Sequence, residues 1–84
     1  NIRVNNVLPG ATGTSRLQEI AEAKSEKSAQ NVSEIFDEMA KQSPMQRIAK
    51  PEEIAEAIAF LASPRASYIN GINIPVDGGR TKSL

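Results

Sequence analysis

Ile72-Asn73-Ile74-Pro75-Val76-Asp77-Gly78-Gly79, near the end of the 84-residue chain, places apolar residues at every second position and stops at Asp-Gly-Gly. That is the pattern of a β-strand running into a tight turn. Pro75 lies inside the run. A proline cannot donate to a ladder, so this strand is expected at the edge of a sheet. The other strand-like run, Ile2-Arg3-Val4-Asn5-Asn6-Val7-Leu8, stands at the opposite end and stops at Pro9-Gly10. Val7 and Leu8 are apolar together, as in a strand covered on both faces. About 60 residues separate the runs, too many for a hairpin. The pair reads as a parallel βαβ crossover, right-handed by the usual rule. Two parallel strands cannot cover their own faces. The chain is therefore expected to belong to a larger α/β sheet. Asn1, which opens on a strand without a Met, is expected to be a cut end or the first ordered residue of something longer.

The intervening residues read as helices. Ser15 with Gln18 forms a capping box ahead of the short stripe Leu17, Ile20 and Ala21. Lys24 to Gln30 is polar and weakly patterned, which suggests a flexible link. Asn31 with Glu34 forms a second capping box, and Val32, Ile35, Phe36 and Met39 fall at i, i+3, i+4 and i+7. After a loop holding Pro44 and Arg47, Pro51 suits the first turn of a third helix. Glu52 and Glu53 sit where the helix dipole favours negative charge. Only Glu56 is polar from Ile54 to Ala62, so this helix is expected to be covered on two sides. Pro64 ends it. Residues 80–84 read as a polar tail.

Composition removes several functions. Ten basic and ten acidic residues cancel, which argues against a nucleic-acid surface. No apolar run approaches the roughly 18 residues of a membrane span, and a soluble, cytoplasmic protein is expected. There is no Cys and no His, so a Ser-His-Asp or Cys-His site is impossible within these residues and no metal site is expected. Glu52 and Glu56 share a helix face but read as solvated dipole compensation. Asp77 before two glycines reads as a turn-former.

Pro9-Gly10-Ala11-Thr12-Gly13-Thr14 remains. It follows a buried strand and precedes a helix, the place where open α/β sheets bind ligands. Gly10 permits a sharp turn and close backbone approach, and Thr12 and Thr14 offer hydroxyls and N–H groups near a helix N-terminus, which suits a phosphate. By itself the segment reads more readily as a plain strand-to-helix turn capped by Thr14 or Ser15.

Four motifs in this order span the chain: Pro9-Gly10 with Thr14 four residues after the glycine; Arg47 ahead of Pro51-Glu52-Glu53-Ile54-Ala55; Ser67-Tyr68-Ile69-Asn70-Gly71; and Asp77-Gly78-Gly79. Together they resemble the last third of a short-chain dehydrogenase/reductase. The resemblance implies the C-terminal βαβ portion of a doubly wound parallel, Rossmann-type sheet, not a complete domain. It divides residues 1–84 into a strand and cofactor loop (1–14), a substrate lid (15–45), an interface helix (51–62) and an edge strand (72–76). It implies that Pro9, Gly10, Ala11, Thr12 and Thr14 bind the nicotinamide half of NAD or NADP. The implied activity is hydride transfer between that cofactor and a small carbonyl or alcohol substrate.

No catalytic residue is assigned. The family's glycine-rich phosphate fingerprint, catalytic Ser and Tyr-x-x-x-Lys are not in these residues; Tyr68 is the only tyrosine, and Ile72 stands where the lysine would be. The implied partners are the N-terminal part of the same enzyme and further copies of it. The outward face of the third helix (Ala55, Ala59, Phe60, Ala62) and the edge strand suit a two-fold contact, and a dimer or homotetramer is expected, with Ile54, Ile58 and Leu61 turned to the sheet. The competing readings are a non-catalytic helical interaction or oligomerisation domain and, from the GxxG at Gly10–Gly13, a nucleic-acid clamp. The GxxG follows a strand rather than joining two helices, and only Arg16 is near.

Overall fold

Residues 2–81 are described by the computed structural model; Asn1 and the last three positions of the expected polar tail lie outside it. The element order is β1 (Asn6–Pro9), α1 (Ser15–Lys27), α2 (Val32–Lys41), α3 (Pro51–Ala62) and β2 (Asn73–Val76), with a single 3-10 turn at Pro64–Ala66. The strands pair in parallel, with Asn6 opposite Asn73 and Leu8 opposite Pro75. Asn6 N–H donates to Ile72 O (2.9 Å) and Gly10 N–H to Val76 O (3.0 Å). Even positions of β2 therefore face β1, and the donor that Pro75 lacks falls on the outer side. The proline is where an edge strand tolerates it.

Each helix begins for a local reason, and one differs from expectation. Thr14, not Ser15, is the N-cap of α1, its Oγ1 accepting from Leu17 N–H at 3.3 Å. Gln18 turns instead to Glu22 (3.0 Å). The α1 helix also runs on to Lys27, through most of the expected link. Ala23, Lys24, Glu26 and Lys27 are good helix formers, and a weak apolar pattern does not stop a helix whose residues favour it. What remains of the link is tied down, with Ser25 Oγ donating to Gln30 O at 3.0 Å. The capping box of α2 forms as expected, Glu34 N–H donating to Asn31 Oδ1 at 2.9 Å. Pro51 opens α3.

The last turn of α3 carries no basic residue of its own. Arg3 supplies one from across the fold, donating to Leu61 O (2.9 Å), Ile69 O (3.2 Å) and Ser63 O (3.5 Å). A cation there satisfies orphan carbonyls and offsets the helix dipole. Residues 2–5, expected as strand, are joined to the chain's other end through asparagine side chains. Val4 N–H donates to Asn70 Oδ1 (2.9 Å), Ile72 N–H to Asn5 Oδ1 (3.1 Å), and Asn6 Nδ2 to Asn73 Oδ1 (2.8 Å).

The buried apolar residues are few: Ala21, Ile35, Leu61 and Ala66. The first two lie between α1 and α2, which pack chiefly on each other, while α3 packs on the 3-10 turn and β1. Ile58, expected against the sheet, is 51% exposed and Phe60 48%. Ile58 does border the sheet, lining one hollow with Asn5 and Val7, but two strands leave the rest of it open. The radius of gyration is 15.5 Å, against roughly 12 Å for a compact chain of this length. The fold is the C-terminal βαβ part of a larger Rossmann-type sheet: α3 lies against the Val7 side of β1, and the outer face of α3 and the exposed Leu8 side of β1 are left for other elements.

Candidate functional site

Pro9 ends β1 opposite Val76, and the chain then turns at Gly10 against the first residue after β2. A Cβ on Gly10 would stand 2.8 Å from Asp77 Cα and 2.9 Å from Asp77 Cβ. No side chain fits, so glycine is what lets the two strand ends meet. Asp77 is itself held, its two oxygens accepting from Gly79 N–H (3.0 Å) and Thr81 N–H (2.9 Å). Hydrogen bonds from the Thr81 side chain and backbone, and from Gly79 and Arg80, hold its carboxyl below the usual range. It forms the turn, as its position before two glycines suggests.

Beyond Gly10 the loop is fastened along one side. Ala49 N–H donates to Ala11 O (2.9 Å) and Gly13 N–H to Ala49 O (2.8 Å), a one-residue parallel bridge between Thr12 and Ala49. Thr12 Oγ1 donates to Gly10 O (2.9 Å), and Thr14 N–H to Thr12 O (2.8 Å). Gly10, Gly13 and Thr14 have thus spent their N–H groups. Among the described residues the N–H groups of Ala11 and Thr12 have no protein acceptor. They sit at the carboxyl end of a parallel strand, one turn ahead of the N-terminus of α1. Thr14 Oγ1 accepts as a cap and keeps its own proton to donate.

The loop borders a cavity of about 480 Å³ whose walls include Ala11, Met39, Ser43, Arg47, Glu53 and Asp77. That volume is in the range of small-molecule sites. Arg47 braces it. Its guanidinium grips Glu53 with two bonds, Nη1 to Oε1 at 2.6 Å and Nη2 to Oε2 at 2.7 Å. Glu53 Oε1 also accepts from Lys50 N–H at 2.9 Å. The Arg47 hydrogen bond, with the Lys50 backbone behind it, lowers the Glu53 carboxyl to about 2, and the same contact raises Arg47. The spacing Arg47–Pro51–Glu52–Glu53 therefore has a physical meaning: it closes the loop ahead of α3 onto that helix's first turn.

The structure brings Pro9, Gly10, Ala11, Thr12 and Thr14 together as one loop, with Ala11 reaching the cavity. It adds residues that sequence reasoning did not single out for the site. Ser43 is buried, with an Oγ that has no partner among the described residues, beside Gly78, where a Cβ would stand 3.0 Å from that oxygen. Met45 N–H donates to Gly78 O (3.2 Å), which fixes the 43–47 loop to the turn after β2. Nothing in the linear spacing of Ser43 and Gly78 signals their contact. Among the described residues no group of three or more Asp or Glu could hold a metal ion. Nor, among the described residues, is any helix long and apolar enough to cross a membrane.

The loop's donors suit a group bearing an amide or phosphate: among the described residues it offers two free N–H groups and a hydroxyl proton. A family model described as enoyl-(acyl carrier protein) reductase matches residues 1–81. The uncharacterized oxidoreductase YmfI of Bacillus subtilis is 45% identical over 78 residues, 93% of this chain and 28% of that protein. A short-chain dehydrogenase family protein from Francisella tularensis superposes with a TM-score of 0.93 at 35% identity, over 98% of this chain and 34% of the other. The L-sorbose reductase of Gluconobacter frateurii, solved with NADPH and L-sorbose, gives 0.88 at 35% identity over all of this chain and 32% of that one. The chain spans about a third of the length of the relatives it matches.

Proposed function

This chain belongs to the short-chain dehydrogenase/reductase family, and on that premise we propose that the whole protein is an oxidoreductase using NAD or NADP on a small carbonyl or alcohol substrate. In it, residues 9–14 hold the nicotinamide end of the cofactor. The observation that carries the reading is the pair of unspent N–H groups at Ala11 and Thr12, set between three spent ones at the carboxyl end of β1. Such donors are an acceptor-recognition site of fixed geometry, and their cost of ordering is already met by the bridge to Ala49. The complex of L-sorbose reductase with NADPH, a protein of the same fold and 35% identity, is in keeping with it.

The bound nicotinamide would supply hydride transfer. The residues of this chain bind and orient: Ala11 and Thr12 N–H donate to the carboxamide, and the Thr14 hydroxyl donates to the carboxamide or the pyrophosphate. The Gly10 turn packs the end of β1 on Asp77 and so sets where these donors stand. Proton exchange belongs to residues outside this stretch, since Tyr68 is fully exposed and lacks a lysine four positions on.

The α1–α2 pair serves as a substrate lid. It packs chiefly on itself and overhangs the cavity through Met39, an arrangement that can swing without breaking a core. The exposed face of α3 around Ala55, Ala59 and Phe60 packs against a second copy of the protein, in a dimer or tetramer.

The test is cofactor titration of the intact protein and its Thr14→Ala variant. One or two lost hydrogen bonds should raise the dissociation constant roughly tenfold. Loss of the cap alone would lower the melting temperature and leave the titration unchanged, and Thr14→Ser should restore both. An unchanged titration in Thr14→Ala removes Thr14 from the cofactor site.

A further inference from the structure

Asn70 and Gly71 lie at the end of the fold opposite the loop, and two hydrogen bonds tie them to Val4. Val4 N–H donates to Asn70 Oδ1 at 2.9 Å, and Gly71 N–H donates to Val4 O at 2.8 Å. Both residues are exposed. Gly71 has φ +78°, and nothing lies within 4 Å of where its Cβ would be. Those two bonds engage the side-chain amide of Asn70 and the nitrogen of Gly71. These are the two groups that combine when an Asn-Gly sequence cyclises.

We infer that Asn70 is a site of spontaneous conversion to aspartate and isoaspartate, and that the clasp to Val4 sets its rate. The step balances without an added reagent. The Gly71 nitrogen loses its proton and attacks Asn70 Cγ, and the Cγ–Nδ2 bond breaks with release of ammonia. Water then opens the resulting succinimide at either carbonyl. Glycine imposes no side chain on the approach. While the clasp is closed, the Gly71 proton is held by Val4 O and the amide is pinned by Val4 N–H. Cyclisation therefore requires a local opening, whose population limits the rate.

The consequence is one-way. Aspartate at position 70 still offers an oxygen to Val4 N–H. Isoaspartate adds a methylene to the main chain, which moves Gly71 off Val4 O and pulls Ile72 N–H from Asn5 Oδ1, at the point where β2 begins. The asparagine-stapled start of the strand pair is loosened permanently.

The experiment incubates the intact protein, its Val4→Pro variant and a free peptide of residues 66–75 in mildly alkaline buffer. Peptide mapping then reads conversion at Asn70, with Asn73-Ile74 as the slow internal reference. The free peptide should convert fastest and the intact protein at least about tenfold more slowly. Val4→Pro, which lacks the donor to Asn70 but keeps the oxygen that holds the Gly71 proton, should fall between the peptide and the intact protein. A peptide that does not convert, an intact protein that matches the peptide, or a folded Val4→Pro as slow as the parent would each overturn the inference. If Val4→Pro does not fold, the parent in graded denaturant below its transition decides: conversion must rise in step with hydrogen exchange at Gly71. Conversion that stays flat while that amide exchanges faster would refute the clasp.

Discussion

Replacing Gly10 by alanine tests the junction on which the site rests. The new Cβ would stand 2.8 Å from Asp77 Cα, where ordinary contact begins at 3.4 Å. Gly10 cannot retreat without losing its bond to Val76 O, and Asp77 is anchored by its own turn. The strand ends must part by roughly half an ångström, an overpacking strain of about 1–3 kcal/mol. In an intact protein about as long as the matched relatives, roughly three times this chain, that lowers the melting temperature by about 2–12 °C. The same displacement carries the Ala11 and Thr12 N–H groups off line. Losing one or two hydrogen bonds there weakens cofactor binding by about 5–30-fold. Gly13→Ala is the control, because its Cβ would meet only Ala49 O at 3.5 Å and Ile48 Cγ2 at 3.8 Å, both ordinary contacts. A thermal scan and a cofactor titration of the two intact variants read both effects. Equal behaviour of Gly10→Ala and Gly13→Ala would refute the reasoning.

Ala59→Arg, on the exposed face of α3, should reduce the assembled mass seen by size-exclusion with light scattering; an unchanged mass would place that face inside one subunit. The Glu53 carboxylate has a folded-state pKa lowered from 4.5 to about 2, so its contribution is complete above 4.5 and is lost as pH falls towards 2. Acid unfolding of Glu53→Gln should lose that part of its pH dependence, and a curve parallel to the parent's across this window would show the Arg47 pair to be absent in solution. Hydrogen exchange in the unliganded protein should be faster across residues 15–43 than across Ile54–Ala62, and should slow there when cofactor and substrate bind. Equal protection of the two regions would rule out a lid.

Local signals were the legible part of this chain. Pro51 at a helix start, the Asn31–Glu34 box and the alternation at Ile72, Ile74 and Val76 each act within a few residues, and each is where it was expected. Thr14 displaced Ser15 as cap because two adjacent hydroxyl residues compete for one position, and backbone geometry decides between them. The overrun of α1 to Lys27 reflects propensity outweighing a poor apolar stripe. Long-range pairings were not legible. Arg3 reaches carbonyls some sixty residues away, Asn5 and Asn70 stand in for ladder groups, and Ser43 meets Gly78 only because two loops converge. In the site, glycine and threonine spacing pointed to the loop. Which N–H groups are free depended on Ala49, whose sequence position says nothing of it.

The most direct test of the central claim is residue-resolved hydrogen exchange of the intact protein with and without the nicotinamide cofactor. The Ala11 and Thr12 amides, unpartnered among the described residues, should slow markedly on binding, while those of Gly10 and Gly13, already bonded within the chain, should change little. Cofactor binding that leaves Ala11 and Thr12 exchanging at their free rates would contradict the claim.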